Sequence, residues 1–356
     1  AAVKKDMTGK PDKPDLSTIV VPELNSERSN NSIRWTVLIL LCCQNAGHAL
    51  LTRYSRGILK ESYSFTEVVI VGEFFKLFVS AYLSVVDRSE TDAQGSGFAK
   101  LFWLVRNCSK VILLVILYAI SNLLSYYALA RVDASAYTVL LQLKILTTAA
   151  FAVWILNRNI SAAKWRALVL LVIGCVLVAS PAYNQPVECV EAGEVEGTTL
   201  VDGSKDLQFG IVDTVLGFAA ILLMNTISGF ASIYFENMLK SGAKVTIWER
   251  NFQLAFCSIW ILSIVVVWEM QQSSRVELFK GWTINTWLIM LIQACGGLLV
   301  AATLKYADSV LKTLATSGSI VISAVLGYFL LGGDLDVFIG LGCVSTILAI
   351  CNYTFE

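Results

Sequence analysis

The stretch ALARVDASAYTVL at residues 128–140 has a counterpart in ATLKYADSVLKTL at residues 302–314. In each stretch a basic residue precedes an aspartate by two or three positions, where one long apolar run gives way to the next. The two aspartates, Asp133 and Asp308, lie 175 residues apart, which is close to half of the 356-residue chain. This spacing predicts a chain built from two similar halves.

The composition around these stretches is that of an integral membrane protein. Apolar residues make up 56% of the chain and charged residues 15%, whereas a soluble domain has about 45–50% and about 25%. Ten apolar runs are long enough for helices that cross a bilayer, each of which needs about 20 residues. The runs lie at 35–52, 65–86, 111–130, 133–155, 164–180, 211–239, 246–268, 283–306, 309–331 and 336–353.

Two halves of five spans each are the simplest account of ten spans and one repeat. Because five is odd, the halves lie inverted in the membrane, as in many secondary transporters. We therefore predict an all-α membrane protein with ten transmembrane helices in two inverted five-helix repeats. The predicted segments are a disordered cytosolic tail (1–34), the first repeat (35–180), an acidic lumenal loop (181–210) and the second repeat (211–356).

The placement of Lys and Arg predicts the orientation of the chain. The N-terminal tail carries six basic residues, and the connection at 87–110 carries four. The connection at 181–210 has Lys205 against six acidic residues. Both termini are therefore predicted to lie in the cytosol.

Several functional classes fit this sequence poorly. A net charge of zero gives no basic field for nucleic acid. The single histidine, His48, nearly excludes a His-based metal site, the chain has no Walker A motif, and we expect no cofactor. An enzyme would need paired carboxylates at one membrane face. Glu236 is instead expected to cap a helix or to pair with Lys240. Glu249 is likewise expected to cap a helix or to pair with Arg250.

Charged residues deep in a span are the clearest functional signal. A lysine at the centre of a membrane helix costs about 2.5–3.5 kcal/mol to insert and needs a partner or a wet cavity. Lys144 lies eleven residues into its run and has no acid three or four positions away. It is therefore expected to await an anionic ligand. Lys76 has Glu73 three positions before it, so this pair either contacts substrate or satisfies itself.

Other polar residues surround these charges. Tyr137 shares a helix face with Lys144, and an aromatic ring beside a cation suits a base and its phosphates. Single Ser and Thr hydroxyls have a second interpretation, which is bonding back within their own helix. Further candidates are Tyr118 and Asn122 at helical spacing in the third span, Gly296 and Gly297 in the eighth, and Thr316 and Ser317 in the ninth.

Four stretches together resemble a known family. They are YTVLLQLKILTTAAFAVWILNRNIS (137–161), SGFASIYFENMLK (228–240), WERNFQ (248–253) and GGLLVAATLKYADSVLKTLATSGSIVISA (296–324). They are similar to the nucleotide-sugar transporters of the Golgi and endoplasmic reticulum, in the branch of the UDP-N-acetylglucosamine, UDP-galactose and CMP-sialic acid carriers. The resemblance implies the ten-helix drug/metabolite-transporter fold and exchange of nucleotide sugar for nucleoside monophosphate.

The resemblance also implies roles for individual residues. Lys144 matches the family's phosphate-contacting lysine, with Tyr137 and Asn122 near the nucleotide. The other positions that match are Ser228 and Asn251 in the pocket lining, Gly296 and Gly297 as the paired glycines, Lys305 as a second basic residue near the pocket, and Lys76 and Glu73 as charged positions on the second helix.

Departures from the family pattern favour a UDP-sugar over CMP-sialic acid. Ala255 stands where the sialic acid carriers have Tyr, and ATSGSI (315–320) is more like the UDP-sugar members. We therefore expect a UDP-sugar/UMP antiporter in the membrane of the Golgi or of the endoplasmic reticulum. A homodimer is the candidate assembly. The alternatives are a CMP-sialic acid/CMP antiporter and a metabolite exporter of the same fold.

Overall fold

The computed structural model of the protein describes residues 16–87, 97–132, 134–179, 211–241, 245–273, 279–332 and 336–356. The regular elements within these segments are all helices. They are α1 (Leu16–Thr52), a π-helical turn (Arg53–Ile58), α2 (Phe65–Val86), α3 (Phe98–Arg106), α4 (Ser109–Leu129), α5 (Ala134–Leu141), α6 (Leu143–Leu156), α7 (Ala162–Ala179), α8 (Ile211–Ser241), α9 (Ile247–Ser273), α10 (Ile284–Tyr306), α11 (Ser309–Leu331) and α12 (Val337–Phe355).

The helices confirm the prediction of an all-α membrane protein. Within the described segments, nine stretches of helix are long and apolar enough to cross a bilayer. Large apolar side chains on their outer faces, such as Phe78, Ile264 and Phe329, are 70–73% exposed, as expected for a surface that contacts lipid. The predicted run at 164–180 corresponds to α7, which borders residues outside the described segments, and the count of ten stays a prediction.

The centre of the bundle is α8. In its apolar window 56% of the residues are buried, more than in any other candidate span of the described chain. It packs against both α4 and α6. At Gly229 a Cβ would come within 2.9 Å of Thr147 Oγ1, so the glycine lets α8 approach α6 closely.

The fourth predicted span is interrupted at Gln142, where α5 ends and α6 begins. Around the break the backbone bonds span three residues, from Gln142 N to Val139 O and from Ile145 N to Gln142 O, which is a tighter turn than an α-helix. The carbonyl of Leu140 accepts a 2.7 Å hydrogen bond from Asn225 Nδ2 of α8. The break lies directly before Lys144.

The N-terminal helix is longer than the sequence predicted. α1 begins at Leu16, so residues 16–34 of the predicted disordered tail continue the first span as helix, and residues 1–15 lie outside the described part of the chain. Extending an existing helix adds one backbone bond per residue and avoids the cost of a new nucleus.

The repeated aspartate has a structural role in the second half. Asp308 has an extended backbone, and its Oδ1 accepts a 2.8 Å hydrogen bond from Leu311 N, which caps α11. Its counterpart Asp133 lies outside the described residues, but α5 begins at the next position. The two-repeat division of the chain stays a prediction.

Candidate functional site

A cavity of about 290 Å³ lies inside the bundle, between α2, α4, α8, α9 and α10. Its volume is close to the lower end of the range for small-molecule sites. Six residues expected at the site lie in its wall, namely Glu73, Lys76, Tyr118, Asn122, Asn251 and Gly297. The spans thus bring together side chains that are up to about half the chain apart in sequence.

The charged pair on α2 forms, but it is only partly satisfied. Lys76 Nζ lies 2.5 Å from Glu73 Oε1. Glu73 Oε2 is buried and has no hydrogen-bond partner among the described residues. A Cβ at Gly297 would lie 2.9 Å from Lys76 Cδ, so the absence of a side chain at Gly297 makes room for the lysine.

Amide side chains form the other polar part of the wall. Asn251 is 4% exposed, and its Nδ2 has no hydrogen-bond partner in the described part of the chain. Buried amides are normally hydrogen-bonded. A group that can donate is therefore positioned at a wall of the cavity, where a carbonyl or hydroxyl oxygen of a ligand would satisfy it.

A second polar centre contains two lysines. The side chains of Lys144 on α6 and Lys312 on α11 are close enough to interact electrostatically. Neither forms an ion pair with a carboxylate of the described segments. Two like charges in a medium of low dielectric repel each other strongly, so an anionic ligand would stabilise this arrangement.

Lys312 is the second basic residue of this centre, and the role of Lys305 near the pocket stays a prediction. Lys305, which the resemblance implied, lies in the last turn of α10, and Lys144, Lys305 and Lys312 all lie outside the cavity wall. Lys312 lies in the ninth predicted span, four positions after Asp308, a spacing that brings two side chains together on one helix face. In the structure Asp308 Oδ2 instead lies 3.3 Å from Arg158 Nη1.

The remaining predicted residues lie outside the cavity wall. The ring of Tyr137 is 8% exposed and packs with Ile221 and Met224, while its hydroxyl is 2.5 Å from Ser125 Oγ. Thr316 Oγ1 donates to Thr313 O at 2.8 Å, which is the bonding within one helix that we considered for single hydroxyls. Ser228 and Ser317 are buried on α8 and α11, and Gly296 packs against the side chain of Gln44.

A network of charges joins several helices at one end of the bundle. Glu236 is fully buried, and its Oε1 pairs with both Arg158 Nη2 and Lys240 Nζ. Its Oε2 accepts a 2.8 Å hydrogen bond from Ser309 N. The prediction that Glu236 pairs with Lys240 is thus confirmed.

A second network lies near the start of α9. Glu249 Oε2 accepts from Thr246 N at 2.7 Å, so Glu249 helps to cap the helix, as one of its two predicted roles required. The ion partner of Glu249 is Lys100 on α3, at 2.9 Å, with both side chains almost fully buried. Arg250, the nearer candidate in sequence, interacts electrostatically with Glu249 and donates to Gln253 Oε1 at 3.0 Å.

Comparisons with known proteins agree with this architecture. The sequence profile of the nucleotide-sugar transporter family matches residues 29–354. A solved crystal structure of a protein with 12% sequence identity superposes with a TM-score of 0.58 over 90% of this chain and 97% of that chain. At that identity the likeness shows the fold alone.

Proteins of known activity are also similar over most of their length. The UDP-N-acetylglucosamine transporter of Rattus norvegicus is 34% identical over 333 residues, covering 91% of this chain and 96% of that protein. The UDP-N-acetylglucosamine/UDP-N-acetylgalactosamine transporter of Caenorhabditis elegans is 30% identical over 92% of this chain and 94% of its own. The UDP-galactose translocator of Canis lupus familiaris is 33% identical over 92% and 78%, respectively.

These relatives are transporters and not enzymes, which agrees with the expectation from the missing catalytic motifs. The profile covers nearly all of the membrane part of the chain. Taken with the helical bundle and its polar interior, the match shows that the chain is a multi-pass membrane protein and belongs to the nucleotide-sugar transporter family.

Proposed function

We propose that this protein imports a UDP-sugar into the Golgi lumen, or that of the endoplasmic reticulum, in exchange for UMP. The observation that carries the proposal is the pair of lysine side chains, Lys144 and Lys312, which interact with each other and have no carboxylate partner in the described segments. A nucleotide sugar and a nucleoside monophosphate both bring phosphate to such a centre. Phosphate would bind both lysines through charge-assisted hydrogen bonds.

The names of the relatives support a UDP-sugar as the substrate. They transport UDP-N-acetylglucosamine, UDP-N-acetylgalactosamine or UDP-galactose. Ala255 lies in the cavity wall, at the position where the resemblance places a Tyr in sialic acid carriers. A smaller residue there gives no aromatic surface for a cytosine, which favours the UDP-sugar over the CMP-sialic acid alternative.

Alternating access between the two predicted halves is the proposed mechanism. The network of Glu236, Arg158 and Asp308 joins the connection after α6 of the first predicted half to α8 and the start of α11 of the second. By the predicted orientation this end faces the cytosol, as do both termini. The network would therefore hold the cytosolic entrance closed, and its rupture would accompany opening to that side.

The same lysine pair accounts for exchange rather than leak. Without a ligand, its charges repel in the interior, and a form that buried them further would be disfavoured. With UDP-sugar or UMP bound, the charges are compensated and the carrier can reorient. A ligand favours the states between the two open forms only if it binds those states more tightly than it binds the open forms.

The binding test uses the purified protein in detergent with UMP, CMP, GMP and AMP. A ligand that binds only the native state raises the melting temperature, so we expect a shift with UMP and little with GMP or AMP. An equal or larger shift with CMP would favour the CMP-sialic acid alternative. No shift with any of the four would leave the metabolite exporter as the better proposal.

The homodimer that the sequence raised is a separate proposal. The mass of the purified protein, after subtraction of bound detergent, measures it directly by light scattering. A mass of twice the chain's 39.0 kDa supports the dimer, and a single chain's mass contradicts it.

A further inference from the structure

Gln44 is a polar residue of α1 that the sequence did not single out. Its side-chain Nε2 donates a 2.9 Å hydrogen bond to Ile292 O in the middle of α10. A Cβ at Gly296 would collide with the Gln44 amide. The missing side chain at Gly296 therefore lets Gln44 reach the backbone of α10.

Gly297, the next residue on α10, makes room for a side chain of α2 in the same way. Gly297 makes room for Lys76, which carries Glu73 as its partner. Glu73, Lys76 and Gly297 line the cavity. Two successive glycines thus admit polar side chains from two helices of the first predicted half, and Gln44 packs against Gly296, the neighbour in sequence of Gly297 in the cavity wall.

Gln44 and Glu73 each have one acceptor oxygen that receives no hydrogen bond within the described part of the chain. Gln44 Oε1 and Glu73 Oε2 are buried and have no hydrogen-bond partner among the described residues. Buried polar atoms of this kind are uncommon and require an explanation. The terminal torsions of Gln and Glu have broad minima, so either oxygen can rotate to meet a donor of a bound ligand.

We infer that Gln44 is a specificity residue that, together with Glu73, accepts hydrogen bonds from the sugar moiety of the nucleotide sugar. This inference rests on the proposed function and adds to it. A neutral hexose or N-acetylhexosamine carries hydroxyl and amide donors that match two free acceptors. A carboxylate group on the sugar has no donor to offer to these acceptors.

A purely structural role for Gln44 makes a different prediction. The bond to Ile292 O could simply hold α1 against α10, as polar side chains do in membrane bundles. Its loss would then weaken UMP, UDP and UDP-sugar binding alike, because all three ligands need the same folded bundle. A role in sugar recognition affects only the ligand that carries the sugar.

The experiment measures dissociation constants of UMP, UDP, UDP-N-acetylglucosamine and UDP-galactose for the wild type and Gln44→Met. Met is close in size to Gln and lacks the acceptor. We expect at least one UDP-sugar to bind the variant about three- to tenfold more weakly, the effect of one hydrogen bond, with UMP and UDP unchanged. Cys43→Met, at the exposed neighbouring position, is the matched control and leaves all four constants unchanged.

The possible failures are distinguishable. A wild type that binds none of the four ligands overturns the proposed function and this inference with it. A wild type that binds UDP and UDP-sugars equally, or a variant with unchanged UDP-sugar affinity, overturns this inference alone. A folded variant that loses affinity for all ligands equally supports the purely structural role of Gln44 and overturns the inference of sugar recognition. If Gln44→Met does not fold, Gln44→Ala is measured against the same expectations.

Discussion

At the scale of residues, the polar interior rests on a few side chains with unmet bonding capacity. Lys144 and Lys312 contribute positive charge, while Asn251 contributes a donor and Glu73 an acceptor. Each group is costly in an apolar bundle unless a ligand satisfies it. We propose that one ligand satisfies both sets, with its phosphate at the lysine pair and its neutral polar groups at the cavity wall.

The lysine pair leads to the first prediction. Lys144→Gln or Lys312→Gln should weaken UMP binding about ten- to hundredfold, because a hydrogen bond to a charged group contributes about 1.5–3 kcal/mol. The melting temperature of the ligand-free variants should not fall, since charge repulsion is removed. Nucleotide titrations followed by thermal unfolding measure both effects. Lys110→Gln, an exposed lysine at the start of α4, is the control, and unchanged affinity in both lysine variants would contradict the prediction.

The sequence predicted some of these residues and missed others for physical reasons. Glu73, Lys76 and Asn122 were found because polar groups within a span need a wet or paired environment. Tyr137 shares a helix face with Lys144, but a shared face does not determine which neighbour covers it. In the structure Tyr137 packs against α8 and bonds to Ser125, because residues more than 80 positions away complete its surroundings.

At the scale of elements, the break between α5 and α6 shapes the region around Lys144. No Pro or Gly marks the break in the sequence, so the apolar run predicted one continuous helix. The break is stabilised by α8. The side chain of Asn225 donates to Leu140 O, and the backbone carbonyl of Asn225 accepts from Thr147 Oγ1. Helix length and composition were therefore predictable, whereas the interruption depends on tertiary contacts.

Asn225→Leu tests this dependence. The variant leaves the Leu140 carbonyl without its donor in a buried site, which should lower the free energy of unfolding by about 1–3 kcal/mol. The melting temperature in detergent reports the loss. Thr226→Val is the matched control, because the neighbouring Thr226 is exposed and bonds only to Leu222 O of its own helix. Equal stability of the two variants would show that Asn225 does not support the break.

The connection between α1 and α2 leads to a pH prediction. Burial alone would raise the pKa of Glu61, but hydrogen bonds from Ser55, Asn285 and Thr283 outweigh it and hold the pKa below its usual range. A carboxyl whose pKa is depressed in the folded protein stabilises the fold when the pH is above the pKa of the unfolded chain, which is about 4.3 for Glu. That stabilisation is lost as the pH falls through the pKa of the folded protein.

Glu61→Gln should therefore lower the melting temperature at pH 7 and have less effect near pH 3.5. The comparison of variant and wild type at the two pH values isolates this group from other carboxylates. A difference that is the same at both pH values would contradict the assigned role of the Glu61 charge.

At the scale of the whole molecule, ion pairs around the buried Glu236 join helices that the proposed mechanism separates during transport. Glu236 holds Arg158 and Lys240 at one end of the bundle, and Asp308 extends the network to α11. Removing one partner of a buried ion pair leaves the others uncompensated. The network is therefore suited to closing one entrance reversibly.

Glu236→Gln should shift the protein toward the form that is open at this end. In a version of the chain without native cysteines, Ala255→Cys in the cavity wall should then react faster with an impermeant maleimide added from the predicted cytosolic side. Asp213→Asn, which removes the 3.9 Å pair with Arg131 near the other end of α8, should not increase that labelling. Unchanged labelling in Glu236→Gln would contradict the role of the network as a closure.

Exchange in liposomes tests the central claim most directly. Purified protein is reconstituted into liposomes that contain either UMP or buffer, and uptake of labelled UDP-N-acetylglucosamine and UDP-galactose is followed. The account predicts rapid uptake of at least one of them into UMP-loaded liposomes and little uptake into empty ones. Equal uptake into both kinds of liposome, or uptake that follows a pH gradient and ignores internal UMP, would contradict it.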